Sequence, residues 1–246
     1  MGKMESLPPS VILNRITQGD CLQLLPQVTP KSVGLLLTDP PYGISKKHGL
    51  HTLNRTGIDF GGWDKDFDQY TWIATALPAL KPGANIVIFN DWKKLGHIAD
   101  YMQDIGLTPK KILTWEKTNP FPLNIQRSFV SSQEHALWAV VPGAKWAFNK
   151  RPEVPYERGI FRHSVQKGWH PTKKPLALFK ELITILSNPN DLVLDPFSGS
   201  GTTALACQDM RRSFLCFERE AEYVEKSRDL LKTRLETLNE DHCQQS

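Results

Sequence analysis

Cysteine is scarce in this chain of 246 residues, and its four copies follow no motif. Cys21, Cys207, Cys216 and Cys243 include no CxxC pair, the spacing found in redox centres and many zinc sites. Such isolated thiols are typical of buried side chains in a reducing cytosol. The chain also shows no signal peptide and no apolar run of about 20 residues, the length that crosses a bilayer. We therefore expect a cytoplasmic protein that does not bind a membrane.

Other common motifs are missing or incomplete. His48 and His51 lie close together, but no thiol or acidic ligand accompanies them, so we expect no metal site. A glycine-rich turn at residues 199–201 departs from both common phosphate-binding patterns. Thr202 stands where a P-loop needs lysine, which argues against nucleotide hydrolysis, and Ala204 replaces the third glycine of a dinucleotide-binding fingerprint.

The composition that remains is that of an ordinary globular protein. Hydrophobic residues make up 40% of the chain and charged residues 23%, which is enough apolar surface for a substantial core. The length suits one α/β domain with a small insertion. The net charge of +4 permits a polyanionic partner without requiring one.

Hydrophobic patterning predicts strands that alternate with helices, which is typical of a mostly parallel sheet. Lys81-Pro82-Gly83 is expected to end the second helix, and the tail from Asn239 is expected to be frayed. The predicted strands are residues 11–17, 32–37, 84–89, 110–115, 134–141, 191–194 and 213–217. The predicted helices are residues 21–25, 67–80, 91–105, about 175–186, 204 onward and 222–238.

The motif Asp39-Pro40-Pro41-Tyr42 follows the second predicted strand. Because proline cannot donate to a sheet ladder, the strand must stop there, at the sheet edge where open α/β proteins bind ligands. The Asp39 carboxylate and the Pro40 carbonyl can accept hydrogen bonds, and the Tyr42 ring can stack. This set suits a planar heterocycle with an exocyclic amino group. A plain proline turn, with Asp39 as a cap and Tyr42 in the core, is the structural alternative.

A second ligand site is indicated near the other end of the chain. A strand, the glycine turn, a helix and a strand ending at Glu218 form the pattern of a mononucleotide-binding half-unit. Glu218 is placed to reach ribose hydroxyls, and the short Phe197-x-Gly-x-Gly turn suits a nucleoside with an amino-acid tail. Asp20 follows the first strand, either as a helix N-cap or as an acceptor for a ligand.

Two irregular stretches interrupt this rhythm. Residues 43–63 carry Lys46, Lys47 and Arg55 beside the first motif and are a candidate lid or nucleic-acid clamp. Residues 144–169 interleave cations with aromatic rings, as nucleic-acid surfaces do, although a solvated insertion would look similar. The cations of this second stretch are Lys145, Lys150, Arg151, Arg158, Arg162 and Lys167.

The order of the motifs resembles the β-class DNA amino-methyltransferases, in particular the MboII-type adenine-N6 modification enzymes. Asp-Pro-Pro-Tyr comes first, His-Pro-Thr-x-Lys-Pro follows at residues 170–175, and Asp-Pro-Phe-x-Gly-Ser-Gly-Thr-Thr follows at residues 195–203. The likeness extends from about Leu13 to Arg234. It implies a Rossmann-like, S-adenosylmethionine-dependent methyltransferase fold with seven strands, one of them antiparallel. The order is circularly permuted, with the catalytic half before the cofactor half.

The resemblance also implies domain limits and residue roles. The catalytic half would be residues 1–143, the target-recognition insertion 144–169 and the cofactor half 170–246. Asp39 to Tyr42 would receive the target base, Glu218 the ribose hydroxyls and Asp20 the adenine amino group of the cofactor. Thr172, Lys174 and Asp195 would line its methionine end. The residues implied in cofactor binding are Asp20, Cys21, Asp39, His170, Pro171, Thr172, Lys174, Asp195, Phe197, Ser198, Gly199, Ser200, Gly201, Thr202, Glu218 and Arg219.

The implied activity is methyl transfer from S-adenosylmethionine to N6 of an adenine flipped out of duplex DNA, in a restriction-modification or epigenetic role. A homodimer and a cognate restriction endonuclease are the other implied partners. Three alternatives stay open. Cytosine-N4 transfer uses the same chemistry, but that subfamily more often has Ser where Asp39 stands. RNA or a protein glutamine could be the acceptor, and the chain could be a catalytically silent DNA-binding subunit, against which both intact motifs argue.

Overall fold

The structure is a computed structural model that describes residues 13–42, 67–122, 125–166 and 173–244. Eight strands of the described residues join in one sheet. They are β1 (Arg15–Gln18), β2 (Val33–Thr38), β3 (Leu80–Asn90), β4 (Thr108–Lys117), β5 (Gln133–Val140), β6 (Ile160–His163), β7 (Leu192–Asp195) and β8 (Ser213–Glu218). Their spatial order is β1-β8-β7-β2-β3-β5-β4-β6.

Six α-helices connect these strands within the described residues. They are α1 (Cys21–Leu24), α2 (Thr71–Ala76), α3 (Trp92–Asp104), α4 (Leu176–Leu186), α5 (Thr202–Asp209) and α6 (Ala221–Gln244). Asp20 caps α1 by accepting a hydrogen bond from the Leu22 amide, and Asp91 caps α3 in the same way through the Lys93 amide. Each cap directly follows a strand or its turn, so each helix leaves the carboxyl edge of the sheet.

The sheet is mostly parallel with one antiparallel strand, as predicted, but it has one strand more than predicted. β5 is antiparallel to both of its neighbours, β3 and β4, and every other pairing is parallel. The expected seven strands are all present, but β6 adds an eighth beside β4, so the predicted strand number was wrong. The residues of β6, Ile-Phe-Arg-His, lie in the stretch that was read as irregular. Only Phe161 among them is buried, because β6 is an edge strand.

Two apolar layers cover the two faces of the sheet. Leu36 faces the layer that contains α1, α2 and α3, whereas Leu35 and Leu37 face the layer that contains α4 and α5. This alternation follows from the two-residue period of a strand. Because both faces are covered, the central strands have no polar side, and all six residues of β2 are buried.

Several element bounds differ from their predictions. β1 begins at Arg15, later than the predicted residue 11, and residues 11–12 lie outside the described part of the chain. The second helix is short and continues as a 3-10 turn over Leu77–Ala79. Lys81-Pro82-Gly83 lies inside the long strand β3, although it was expected to end the second helix. The last helix runs on to Gln244, past the tail that was predicted to fray.

Cys21, Cys207 and Cys216 are buried free thiols, as expected. Among the described residues, no helix combines the length and the apolar character needed to cross a bilayer.

Candidate active site

Both predicted motifs line a single cleft of about 670 Å³. Asp39 to Tyr42 line one side of it, and Phe197 to Ser200 line another. Lys117 and Glu218, at the ends of β4 and β8, also line it, so the cleft lies along the carboxyl ends of the parallel strands. Open α/β sheets bind their ligands at this edge. The two ligand-binding turns predicted from distant parts of the sequence therefore face one space.

Thr38 and Asp195 join the two motifs across neighbouring strands. The Thr38 hydroxyl at the end of β2 donates to Asp195 Oδ1 at the end of β7, at 2.7 Å. Asp195 also accepts hydrogen bonds from the Phe197 amide and the Thr203 hydroxyl, so both of its oxygens are used within the protein. Burial raises the pKa of Asp195 to about 6, although these three donors favour its charged form.

The Asp39 turn is held directly by the side chains of Gln69 and Lys94, and Asn90 holds Gln69 in turn. The Gln69 amide donates to the Pro41 carbonyl at 2.7 Å, and Asn90 at the end of β3 donates to the Gln69 side-chain oxygen. The Lys94 ammonium donates to the Tyr42 carbonyl. These contacts fix the direction in which the turn leaves β2, and with it the positions of the Asp39 carboxylate and the Tyr42 ring.

Both oxygens of the Asp39 carboxylate have partners inside the site. The Tyr42 hydroxyl donates to Oδ1 at 2.6 Å, and the buried Lys174 ammonium donates to Oδ2 at 2.5 Å. Lys174 also lies 3.0 Å from Glu134 Oε2, and Lys117 lies 2.8 Å from Glu134 Oε1. Four charged side chains thus alternate in sign along one wall of the cleft, in the order Asp39, Lys174, Glu134, Lys117.

Sequence reasoning missed Glu134 and Lys117. Glu134 is the second residue of β5, and because β5 is antiparallel, its beginning lies at the edge where the parallel strands end. This is the signal that could have found it: an acidic residue at the start of an antiparallel strand is equivalent in position to one at the end of a parallel strand. Lys117 ends β4 beside it, and both side chains line the cleft.

Three charged groups of this wall, Asp39, Glu134 and Lys174, have shifted pKa values. Burial raises the pKa of Asp39, and the Lys174 ammonium offsets only part of this effect. Burial would also raise the pKa of Glu134, but the ammonium groups of Lys174 and Lys117 outweigh it and lower that pKa to about 2. For Lys174, burial is opposed by the carboxylates of Asp39 and Glu134, and its pKa lies well above the usual value. Lys174 and Glu134 are therefore charged at neutral pH.

The other side of the cleft is built around Glu218. This residue ends β8 and accepts hydrogen bonds from the amides of Gly199 and Glu220 at 2.8 and 2.9 Å. Its neighbour across the sheet is β1, and the Gly19 amide donates to the Glu218 carbonyl, which brings Asp20 to the same edge. Burial raises the pKa of Glu218. Two carboxylates beside a glycine turn fit the hydroxyl and amino groups of a nucleoside.

Phe197 forms an aromatic wall with two residues from the segment before and within α2. Its ring meets Phe67 edge-on at 5.3 Å and Trp72 edge-on at 5.1 Å between centroids. All three rings line the cleft next to the glycine turn. An apolar face beside the Glu218 carboxylate fits a nucleoside, whose base is flat and whose sugar is polar.

The predicted cofactor residues are distributed as follows. Gly201 does not line the cleft, because it turns the backbone against Ser227 of α6. Burial and the neighbouring Asp20 carboxylate raise the pKa of Cys21 to about 12, so its thiol is protonated. His170, Pro171 and Thr172 lie outside the described residues. The predicted residues that do line the cleft are Asp20, Cys21, Asp39, Lys174, Asp195, Phe197, Ser198, Gly199, Ser200, Thr202, Glu218 and Arg219.

Those predicted DNA-binding cations that the structure describes do not line the cleft. Arg151 forms ion pairs with Glu157 and Glu181. Arg162 pairs with Glu116 at 3.0 Å. Of the remaining cations, Lys150 donates to the Val154 carbonyl, Arg158 lies over the Tyr156 ring at 5.5 Å and Lys145 is exposed. Lys46, Lys47, Arg55 and Lys167 fall outside the described residues, as do His48 and His51.

No cluster of three or more His, Cys, Asp or Glu side chains that could hold a metal ion is present in the described part of the chain.

A protein-family model described as DNA methylase, covering N6 and N4 amino-methyltransferases, matches residues 33–229. This range runs from β2 into the first part of α6 and includes both motifs of the cleft. The chain belongs to this DNA methylase family. The family assignment agrees with the resemblance seen in the sequence, and the described geometry agrees with it, because the two motifs meet in one cleft.

Two curated relatives of this DNA methylase match over most of its length. It is 29% identical over 243 residues to the type II methyltransferase M2.MboI of Moraxella bovis, covering 87% of this chain and 85% of the relative. It is also 29% identical over 248 residues to the type II methyltransferase M.HinfI of Haemophilus influenzae, covering 89% of this chain and 68% of the relative.

Solved structures with the same fold include two methyltransferases. The crystal structure of the M1.HpyAVI–SAM complex has a TM-score of 0.73 and 37% identity, covering 88% of this chain and 99% of that one. The cytosine-N4-specific PvuII DNA methyltransferase has a TM-score of 0.69 at 21% identity, covering 86% of this chain and 84% of that one, which is a likeness of fold alone. The Rossmann-like methyltransferase fold predicted from the sequence is thereby confirmed.

Proposed function

We propose that this DNA methylase transfers a methyl group from S-adenosylmethionine to the N6 amino group of an adenine flipped out of duplex DNA. The observation that carries the proposal is the shared cleft, in which the Asp39 carboxylate and the Gly199 turn face one space. The solved relative in complex with SAM, which is 37% identical, supports the cofactor. The type II methyltransferases M2.MboI and M.HinfI support a site-specific, restriction-modification role in the cytoplasm.

The Glu218 side of the cleft is the proposed cofactor site. Glu218 would hold the ribose hydroxyls, Asp20 the adenine amino group, and the aromatic wall around Phe197 the flat face of the base. S-adenosylmethionine supplies a methyl group bonded to a positively charged sulfur. A nucleophile can attack the methyl carbon, and the carbon–sulfur bond breaks as the new bond forms. Asp195 is expected to hold the two motifs in place and not to bind the cofactor directly, because both of its oxygens already accept hydrogen bonds from the protein.

The Asp39 side is the proposed site of the target base. An adenine amino nitrogen is a poor nucleophile because its lone pair is delocalised into the ring. Asp39 Oδ1 and the Pro40 carbonyl accept its two N–H bonds and favour a tetrahedral nitrogen with a localised lone pair. Asp39 Oδ1 becomes available when the Tyr42 hydroxyl, which donates to it at 2.6 Å, turns away as the base stacks on the Tyr42 ring. Lys174 keeps Oδ2 in place throughout.

Catalysis on this view consists mainly of positioning and electrostatics. No thiol takes part, since the only cysteine that lines the described cleft, Cys21, is protonated at neutral pH. The amino group cannot be reached inside a duplex, so the base must leave the stack, at a cost of a few kcal/mol. The domain limits, the cationic residues of 144–169 as DNA contacts, a homodimer and a cognate endonuclease remain predictions.

The decisive experiment is sequencing that detects modified bases in DNA from cells that express the protein, combined with mass spectrometry of the nucleosides. We expect N6-methyladenine at one short sequence. N4-methylcytosine would identify a cytosine-specific enzyme of the same family, and unmodified DNA from cells that contain folded protein would contradict the proposal. Light scattering of the purified protein tests the homodimer.

A further inference from the structure

The described residues of the loop between β4 and β5, 118–122 and 125–132, expose three large apolar side chains. Phe121 is 63% exposed, Ile125 is 68% exposed and Phe129 is 100% exposed. Exposed apolar residues are ordinary when scattered, but three within nine residues of one loop are an unusual local concentration. Because Phe129 is fully exposed, packing within the described fold does not account for an aromatic residue at that position.

The base of this loop is attached to the wall of the cleft. The Lys117 amide donates to the Ser132 carbonyl at 2.7 Å and closes the loop where β4 ends and β5 begins. Asn119 exchanges two hydrogen bonds with the backbone of Val165, at 2.6 and 3.3 Å. Lys117 and Val165 both line the cleft, as does Glu134, two residues beyond the loop. The loop therefore extends from the mouth of the proposed active site.

The charge of the loop suits an anionic partner. No Asp or Glu occurs between Thr118 and Ser132, and Arg127, which is exposed, is the loop's one charged residue. An apolar loop without acidic groups can approach closely spaced phosphates without repulsion, and an arginine can pair with them. Proteins that distort duplex DNA insert apolar side chains between base steps, and aromatic rings stack on bases of any sequence.

We infer that residues 125–132 of the β4–β5 loop form a wedge for duplex DNA and that the Phe129 ring enters the base stack at the position from which the target base is withdrawn. The inference rests on the proposed function and adds to it the element that keeps the base outside the duplex. Phe129 is a positioning residue on this account, because it acts on the DNA stack and not on the amino group that is methylated.

The test compares two duplex oligonucleotides that carry the mapped target site. One has thymine opposite the target adenine, and the other has an abasic site there, so that its adenine is already unpaired. Phe129→Ala should lower kcat/KM on the paired duplex by about tenfold or more, because withdrawing the base is costly, and by about twofold or less on the abasic duplex. Phe129→Leu keeps an apolar wedge and should retain most of the activity on both.

Leu235→Ala is the matched control, since Leu235 is a half-exposed apolar residue on α6, outside the lining of the cleft. It should leave both rates unchanged. Equal rates of wild type and Phe129→Ala on the paired duplex, or an equal loss on both duplexes, would overturn the wedge. A difference in molecular mass in solution between Phe129→Ala and wild type would also overturn it. The exposed side chains would then form a contact between two copies of the chain. A wild type that methylates neither duplex would overturn the proposed function itself.

Discussion

At the scale of single residues, the Asp39 carboxylate of the cleft is held on both of its oxygens by neighbouring side chains. It lies beside one cation and one phenol, and a second carboxylate, Glu134, shares that cation. Burial and the Glu134 carboxylate raise the pKa of Asp39, whereas the Lys174 ammonium lowers it. The charge of Asp39 therefore depends on its contact with Lys174, which also contacts Glu134. The proposed role of Asp39 as an acceptor for amino protons requires a carboxylate that is ionised and oriented, and these neighbours control both properties.

Replacing Asp39 by Ala is expected to lower methyl transfer by roughly 10²–10³-fold or more, the usual scale for losing a positioned electrostatic partner. Asp39→Asn, which keeps one acceptor oxygen, should retain more activity. Transfer of labelled methyl groups to DNA measures the effect, and calorimetric titration with S-adenosylmethionine shows that the variant still binds its cofactor. Undiminished turnover by Asp39→Ala would remove Asp39 from the reaction.

The pH dependence of kcat/KM should move in opposite directions in two variants. Glu134→Gln removes a negative charge near Asp39, lowers its pKa and shifts the acidic limb to lower pH. Lys174→Met removes a positive charge, raises that pKa and shifts the limb to higher pH. The other groups facing Asp39, Tyr42 and Asp195, stay the same in both. Shifts of the same sign would show that Asp39 does not control the limb.

At the scale of elements, the turn between β7 and α5 contains a glycine that leaves no room for a side chain. Gly201 has a φ of +75°, and a Cβ added there would lie 2.9 Å from Ser227 Cβ of α6. This turn carries Gly199, whose amide donates to Glu218 on the proposed cofactor side of the cleft. Strain at Gly201 would therefore reach the ligand site as well as the core.

We expect Gly201→Ala to lower the free energy of unfolding by about 1–3 kcal/mol, because of its backbone strain and its contact with Ser227. Gly96→Ala is the matched control. Gly96 lies within α3 and a Cβ there meets nothing within 4 Å, so alanine should stabilise the helix by about 0.5–1 kcal/mol. Urea unfolding measures both. A Gly201→Ala variant as stable as Gly96→Ala would show that the turn can relax.

Elements buried on both faces were predictable, because their apolar runs are continuous. β2 and the strands around it are of this kind, and the Asp39 motif was found because prolines end β2 abruptly. The edge strand β6 was missed because only Phe161 in it is buried. Glu134 was missed because its place in the site depends on the antiparallel direction of β5, which follows from the pairing of whole strands and not from local pattern.

At the scale of the whole molecule, one buried acid makes stability depend on pH. Asp195 is 3% exposed, and its pKa of about 6 lies above the usual value of about 3.9. Between these two values the folded protein binds more protons than the unfolded chain does. Stability therefore decreases as pH rises through this window, and the contribution of protonated Asp195 is fully present only below it.

Asp195→Asn mimics the protonated side chain, so its stability relative to wild type should increase by about 2–3 kcal/mol between pH 4 and pH 7. Urea unfolding at several pH values measures the difference. Asp100→Asn, on the exposed surface of α3, controls for the loss of a carboxylate. A difference between Asp195→Asn and wild type that stays constant with pH would mean that Asp195 is ionised in the folded protein across the whole range.

The pairing of β1 with β8 joins residues about 200 positions apart, since Gln18 lies opposite Glu218. β1 has no other strand beside it in the described sheet. During synthesis on the ribosome, the amino-terminal segment must therefore wait until Ser213–Glu218 has emerged before it can dock. A nascent chain that stops short of β8 would contain the Asp39 motif but could not assemble the proposed pocket for the methyl donor, so we expect premature termination to yield no partially active product.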